Sequence, residues 1–205
     1  MSLTVNFEKQ YVYDVYRDIS QQFDKSRSNF NRWGSVVSFV NSIPSKSSIL
    51  DIGCGNGRNL QIRDDLIGYG CDICPEMVNI CVNKGLNVVE SKCTDLPYLD
   101  NTFDAVMSVA VIHHLYNPSD RVKAIEEMCR VCKPSGFIYL QVWADSAATK
   151  ATKFRHIGNN DYLVKWDNNK ERYYHLFAKD EIDTLIKNNS TLDHNNWCCA
   201  WINIH

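Results

Sequence analysis

The sequence has no long apolar run: no stretch approaches the ~18 to 20 apolar residues that a membrane-spanning helix needs, so no membrane association is expected. It has no basic excess either, with 22 Lys and Arg against 24 Asp and Glu and a formal net charge of −2. That balance excludes strong, autonomous nucleic-acid binding, which draws on a basic chain. Its first residues, MSLTVNFEKQ, carry neither the basic region nor the apolar run of a secretory signal, which implies a cytoplasmic or also nuclear protein. Internal repeats and low-complexity tracts are missing too, which excludes solenoids and biased linkers.

Cysteine, by contrast, is plentiful: there are nine. The number is odd, the spacing is scattered, and a reducing compartment disfavours disulfides. Two CxxC pairs occur, Cys71 with Cys74 and Cys129 with Cys132. They fall at a predicted strand end and in a predicted helix, where cysteine packs as a small hydrophobe, so no metal site is expected. A chain of 205 residues buries roughly 70% of its unfolded surface, enough for a core without staples. One domain is expected over 1–205: a helical cap (1–45), a core (46–143), and a loop, helix and last strand (144–205).

Helices are predicted over 7–24, where Tyr11, Val12, Val15, Tyr16, Ile19 and Phe23 recur at helical spacing, and over 33–43, ended by Pro44. Five short apolar runs read as buried strands: 48–52, 66–72, 86–90, 103–109 and 137–143. Helices at 75–84 and 119–133 lie among them, the second closed by Pro134 and Gly136. This alternation predicts an α/β fold, a Rossmann-like doubly wound, mostly parallel sheet with helices on both faces. Residues 145–172 read as a polar, irregular loop, 179–188 as a helix, and 196–204 as a last strand, antiparallel at or near an edge.

Asp51-Ile52-Gly53-Cys54-Gly55-Asn56-Gly57 follows a predicted strand and precedes a segment read as helical. Glycines there let the backbone turn sharply and approach a ligand. An acid at Asp51 suits a cationic amino-acid ligand better than a pyrophosphate. Asp72, about 20 residues on, can accept both hydroxyls of a ribose. Asp95 can accept from an adenine amino group while Leu96 covers the ring. Asp51, Asp72 and Asp95 thus stand at three successive strand ends, where open α/β sheets bind ligands.

This set resembles the class I methyltransferase superfamily over residues 48–143. The resemblance implies S-adenosylmethionine as cofactor, with Gly53, Gly55 and Gly57 beneath the methionyl part, Asp72 on the ribose and Asp95 on the adenine amino group. Asp51, Cys54, Asn56, Ile73, Leu96 and Ala110 complete the expected cofactor set. Four further stretches are similar to one family, the eukaryotic tRNA wobble-uridine methyltransferases that esterify 5-carboxymethyluridine. They are Tyr11-Val12-Tyr13-Asp14-Val15-Tyr16 through Phe23, Ser26 and Arg27; Ser108 to His114; Arg172-Tyr173-Tyr174-His175-Leu176-Phe177; and Asn195-Asn196-Trp197. That similarity implies tRNA as substrate and a heterodimer with a small zinc-binding methyltransferase activator subunit.

The chemistry has its own requirements. A carboxylate is already a nucleophile at neutral pH, so it needs alignment, a dry site and hydrogen-bond donors, and no strong base. His113, Arg27, Arg172, Tyr173 and His175 are the expected catalytic donors. His114, Asn196, Trp197 and Trp143, which can stack on a flipped base, are the expected substrate contacts. Structural roles compete: Tyr174 and Trp197 also fit a core, and Arg27 a solvated face. Two other functions compete as well. A methyltransferase acting on a quinone, lipid or similar small molecule would use the same sheet motifs, but the basic, polar character of 145–172 is unlike an apolar lid. A module that holds the cofactor without turnover would also keep the three acids.

Overall fold

The computed structural model describes residues 3–28, 31–146, 153–167 and 170–204. The chain opens with α1 (Leu3–Glu8), a π-helical turn (Lys9–Tyr13), α2 (Asp14–Ser28) and α3 (Gly34–Ser42). The helix expected over 7–24 is therefore longer and interrupted: the π turn widens it by one residue and rotates the faces of α2 relative to those of α1.

Strands and helices then alternate: β1 (Ser48–Ile52), β2 (Ile67–Asp72), α4 (Pro75–Asn83), β3 (Val88–Glu90), β4 (Phe103–Val109), a 3-10 turn (Ile112–His114), α5 (Pro118–Val131) and β5 (Cys132–Trp143). After them come β6 (Phe154–Gly158), β7 (Asp161–Lys165), β8 (Glu171–His175), α6 (Lys179–Ile186), β9 (Thr191–Asp193) and β10 (Asn196–Ile202). Seven strands form one sheet in the order β3-β2-β1-β4-β5-β10-β9. The first five are parallel, while β10 runs antiparallel to β5 and to the edge strand β9. This is the doubly wound α/β sheet expected, with its order reversing between β1 and β4.

Both faces are covered. Leu50, Ile52, Val106, Leu140 and Val142 pack on Ala124, Ile125 and Met128 of α5 and on Ile182 and Ile186 of α6. On the other face Ile49, Ala105, Met107 and Tyr139 pack on Val36, Phe39 and Val40 of α3. Cys71 and Cys132 are wholly buried in the first of these cores, as small hydrophobes are. Among the described residues no helix is long and apolar enough to cross a membrane.

Three expectations are corrected. The segment after Gly57 is not a helix but a run of tight turns, Gly57 N–H to Cys54 O at 3.0 Å, Leu60 N–H to Gly57 O at 3.1 Å and Ile62 N–H to Asn59 O at 3.3 Å. Gly57 at φ +74° leaves the right-handed helical region and stops a regular helix from starting there. Next, β5 starts at Cys132 and not at Phe137, because Cys132 pairs with Phe103 and residues 133–136 form an irregularity before Phe137 pairs with Ala105. Pro134 falls in that irregularity, where no ladder bond is lost. Finally, 145–172 is not an irregular loop. Its described part forms a second, antiparallel sheet, β6-β7-β8, turned at Gly158 and Asn159, both at positive φ. Alternation of apolar and polar residues in short two-faced strands reads in sequence as plain polarity; Lys150 and the rest of 147–152, and 168–169, lie outside the described residues.

Candidate functional site

β1 delivers its last residues to a turn made of glycines in the left-handed region: Gly53 at φ +68° and Gly55 at φ +55°. A Cβ on Gly53 would stand 2.4 Å from Val111 Cγ2, so this position excludes any side chain on both backbone and packing grounds. The amides of Gly53 and Cys54 donate to Cys71 O at 2.8 and 2.9 Å, pinning the turn to β2. At the end of β2, Asp72 accepts from Gly55 N–H at 2.8 Å and from Cys74 N–H at 2.9 Å. Each carboxylate oxygen keeps a lone pair for a ligand. Burial raises the pKa of Asp72 above the usual carboxylate value, against those backbone donors.

Above this turn lies a cavity of about 370 Å³, within the range that holds a nucleoside-sized ligand. Gly53, Cys54, Gly55, Asn56, Asp72, Ile73 and Ala110 of the expected cofactor set line it. Ala110, at φ +62°, is a non-glycine residue in a sparsely populated conformation, held by its N–H bond to Gln141 O at 2.8 Å. Asp51 stands behind the wall. It is 1% exposed, and among the described residues its Oδ1 has no partner and its Oδ2 has a 3.4 Å contact from Asn59 Nδ2. Burial pushes its pKa up to about 7. Gly57 also lies beneath the cavity and not on it; a Cβ there would meet Leu86 Cδ1 at 2.3 Å.

Asp95 and Leu96 do not reach the cavity. Asp95 is exposed and its turn closes on itself, Asp95 N–H to Lys92 O at 3.2 Å. Leu96 is buried in the main core, its N–H given to Glu127. Ser91, Lys92, Cys93 and Thr94 line this end instead, and Asp120 faces it from the start of α5.

Cations and histidines gather at the opposite end. Arg27, His113, His114, Trp143 and Arg172 all line the cavity. Arg172 is 5% exposed. Its Nη1 donates to Tyr16 Oη at 3.2 Å, its Nε has no partner, and among the described residues no carboxylate lies within ion-pair distance. Three rings surround the guanidinium: Trp166 at 4.8 Å, Tyr174 at 5.3 Å and Tyr16 at 5.7 Å. Lys153 stands nearby over Trp143, its pKa lowered by burial and then by Arg172 and Arg27. This is a concentration of positive charge with no internal counter-ion for its most buried member.

The histidines are neutral, and their partners assign their tautomers. Burial lowers the pKa of His114 to about 3 and that of His113 well below the ordinary value. Tyr173 O, 2.7 Å from His114 Nδ1, can only accept, so that nitrogen carries the proton and Nε2 accepts from Tyr16 Oη at 2.9 Å. For His113, Trp143 N–H donates to Nδ1 at 3.4 Å, which leaves the proton on Nε2; that buried N–H has no partner among the described residues. The ring of His113 stacks on Tyr174, centroids 4.8 Å apart and planes 17° apart.

Four further expectations are corrected. Tyr173 and His175 were expected as donors to the substrate, but β8 alternates: Arg172 and Tyr174 face the cavity, and Tyr173 and His175 face away. Tyr173 Oη donates to Asp161 at 2.6 Å and accepts from Arg121 at 3.0 Å. His175 lies between Asp161 and Glu181, each at 2.8 Å; burial opposes its charge, but the two acids raise its pKa overall. Asn196 and Trp197, expected as substrate contacts, are also away from the cavity. β10 pairs Asn196 with Trp143, its Nδ2 donates to His194 O at 3.0 Å, and Trp197 Nε1 donates to Phe177 O at 2.7 Å.

The sequence reading missed Tyr16, Phe23, Arg58 and Tyr174 as cavity residues. Tyr16 and Phe23 are seven apart on α2, so they share a helix face, and that spacing was the available signal. Asp24 and Lys84 clamp this helix over the glycine turn: Asn56 Nδ2 and Lys84 Nζ reach Asp24 Oδ1 at 2.8 and 2.6 Å.

Comparison with known proteins adds kinship. A family model for a methyltransferase domain matches residues 50–140. The tRNA (carboxymethyluridine(34)-5-O)-methyltransferase of Arabidopsis thaliana is 44% identical over 141 residues, 69% of this chain and 34% of the plant protein. That of Schizosaccharomyces pombe is 31% identical over 224 residues, 95% of this chain and 97% of the relative. The chain thus spans about a third of the length of the plant protein but nearly all of the fission-yeast one. In structure it is similar to the complex between the Haloferax volcanii Trm112 methyltransferase activator and a methyltransferase, with a TM-score of 0.65, 20% identity, and coverage of 86% of this chain and 74% of that one.

Proposed function

The chain belongs to the family of tRNA (carboxymethyluridine(34)-5-O)-methyltransferases, and from that premise we propose that it transfers a methyl group from S-adenosylmethionine to the carboxylate of 5-carboxymethyluridine at the tRNA wobble position. The observation that carries this reading is Arg172: a buried guanidinium with, among the described residues, no acidic partner, beside the Nε2–H of His113, which likewise has none among them. Both groups only donate. Such a pair suits an acceptor that only accepts, an ionised carboxylate.

The residues at the other end of the cavity fit the cofactor. Asp72 offers lone pairs to ribose hydroxyls, Ile73 and Met77 offer an apolar wall to a base, and the glycine turn keeps the backbone bare. Asp51, buried with an orphaned oxygen behind Gly53 and Asn59, makes this end favourable to a cationic methionyl group. When bound, the cofactor supplies a methyl group activated by a positively charged sulfur. The chain's own residues then orient and dry the acceptor. Arg172 and His113 hold carboxylate oxygens, and Trp143 and Tyr174 offer rings to the extruded base. Neutral His113 and His114 move no proton, and none needs to be moved, because the acceptor is ionised already. An uncharged lipid or quinone would leave Arg172 buried and unpaired, which disfavours the small-molecule reading.

A small activator subunit is the proposed partner. Supporting it are the activator complex of the structural neighbour and the open edge of the sheet at β3, where Val89 is exposed. The nine free cysteines suit a reducing compartment, the cytoplasm or also the nucleus. The test is methyl transfer from labelled cofactor, with and without the activator, to anticodon stem-loops carrying 5-carboxymethyluridine or plain uridine. Label is expected on the acid alone. Equal labelling of both RNAs, or of neither with the activator present, would sink the assignment.

A further inference from the structure

Arg172, Tyr16, His114 and the Tyr173 carbonyl form a hydrogen-bonded chain whose direction is imposed by its two ends. A carbonyl oxygen only accepts and a guanidinium only donates. His114 Nδ1 therefore donates to Tyr173 O (2.7 Å), Tyr16 Oη donates to His114 Nε2 (2.9 Å), and Tyr16 Oη accepts from Arg172 Nη1 (3.2 Å). A single orientation of the Tyr16 hydroxyl serves both neighbours. His114 and Arg172 are 8% and 5% exposed, which leaves water little room to replace that hydroxyl. The Tyr16 ring is itself held edge-on by His114 at 5.2 Å and Phe23 at 5.8 Å.

We propose that Tyr16 is a positioning residue for Arg172: by occupying Nη1 it sets the rotation of the guanidinium plane and leaves the remaining N–H groups, Nε among them, for an incoming carboxylate. The proposal rests on the carboxylate reading of the site. An arginine held still before the substrate arrives loses less freedom on binding it. α2 carries Tyr16 and also closes over the glycine turn through Asp24, so one helix serves both ends of the cavity.

The test is the guanidinium signal of Arg172 in the arginine-labelled chain by NMR, identified by its loss in Arg172→Lys. Hindered rotation about Nε–Cζ is expected in the native protein and free rotation in Tyr16→Phe, with the calorimetric affinity for S-adenosylhomocysteine unchanged as the check on folding. In turnover, Tyr16→Phe is expected to raise KM for the 5-carboxymethyluridine stem-loop roughly tenfold, the scale of losing a buried hydrogen bond to a charged group. On an Arg172→Lys background the same change is expected to cost less than about twofold. Free rotation in the native protein, rotation unaltered by Tyr16→Phe, or fully multiplicative losses would overturn the proposal. Native protein that binds cofactor yet methylates no acid defeats the substrate reading alone, and the NMR result still decides the role of Tyr16.

Discussion

Arg172 shows how one residue can define a site. It keeps its charge at any physiological pH, lies buried, and among the described residues meets a hydroxyl and three rings. Arg172→Gln is expected to lower kcat/KM by about a hundredfold or more, the scale of losing one member of a buried charge pair, while calorimetry with S-adenosylhomocysteine stays within about twofold of native. Asp51 behaves in the opposite sense. Its burial opposes ionisation, so the native state binds a proton more readily than the unfolded chain, and the resulting stability is lost as pH rises from the ordinary carboxylate range through about 7. Asp51→Asn is accordingly expected to raise Tm at pH 8 by roughly 2–4 °C or more per kcal/mol gained, and to weaken cofactor binding. A variant that melts lower and binds normally would contradict both halves.

At the scale of elements, β8 explains why part of the site is misread from sequence. Arg172-Tyr173-Tyr174-His175 looks like one reactive cluster when written in a line. As a strand it divides: one pair faces the cavity, and the other locks β8 to β7, α5 and α6 through Asp161, Arg121 and Glu181. The site uses the backbone carbonyl of Tyr173, through His114, and not its phenol. Tyr173→Phe is therefore expected to cost about 1–3 kcal/mol of stability, because it strips a buried partner from Asp161 and Arg121. Its methyl transfer is expected within about threefold of native. Urea unfolding and turnover, measured on the same preparation, separate the two effects. Alternation of this kind is hidden because composition marks 145–172 as polar throughout, and strands of five residues carry little periodic signal. Asp95 fails for another reason: a short β3 ends at Glu90, and the turn after it points this acid to solvent.

For the molecule as a whole, buried titrating groups set opposed pH slopes. His113 and His114 have depressed pKa values, so their stability is complete above the ordinary histidine pKa of ~6.5 and lost as pH falls below it. Asp51 and Asp72, both raised by burial, slope the other way over part of that acid range and offset the two histidines there. His175 has a raised pKa, so its contribution is present below ~6.5 and lost as pH rises through its folded value. Above ~6.5 the losses from His175 and Asp51 run together, so Tm is expected to fall there, and His175→Gln to flatten that fall when melting is followed from pH 5 to 9. An unchanged alkaline slope would remove His175 from the account. The alternation of strands and helices, the glycine turn with Asp51 and Asp72, and the cations and histidines at 27, 113, 114 and 172 were determined by the sequence, because local periodicity and short-range spacing encode them. Only the tertiary structure decided which side chains share the cavity. That choice depends on strand facing, on α2 packing over a turn thirty residues distant, and on donors and acceptors that meet across the fold, as Tyr16 meets Arg172.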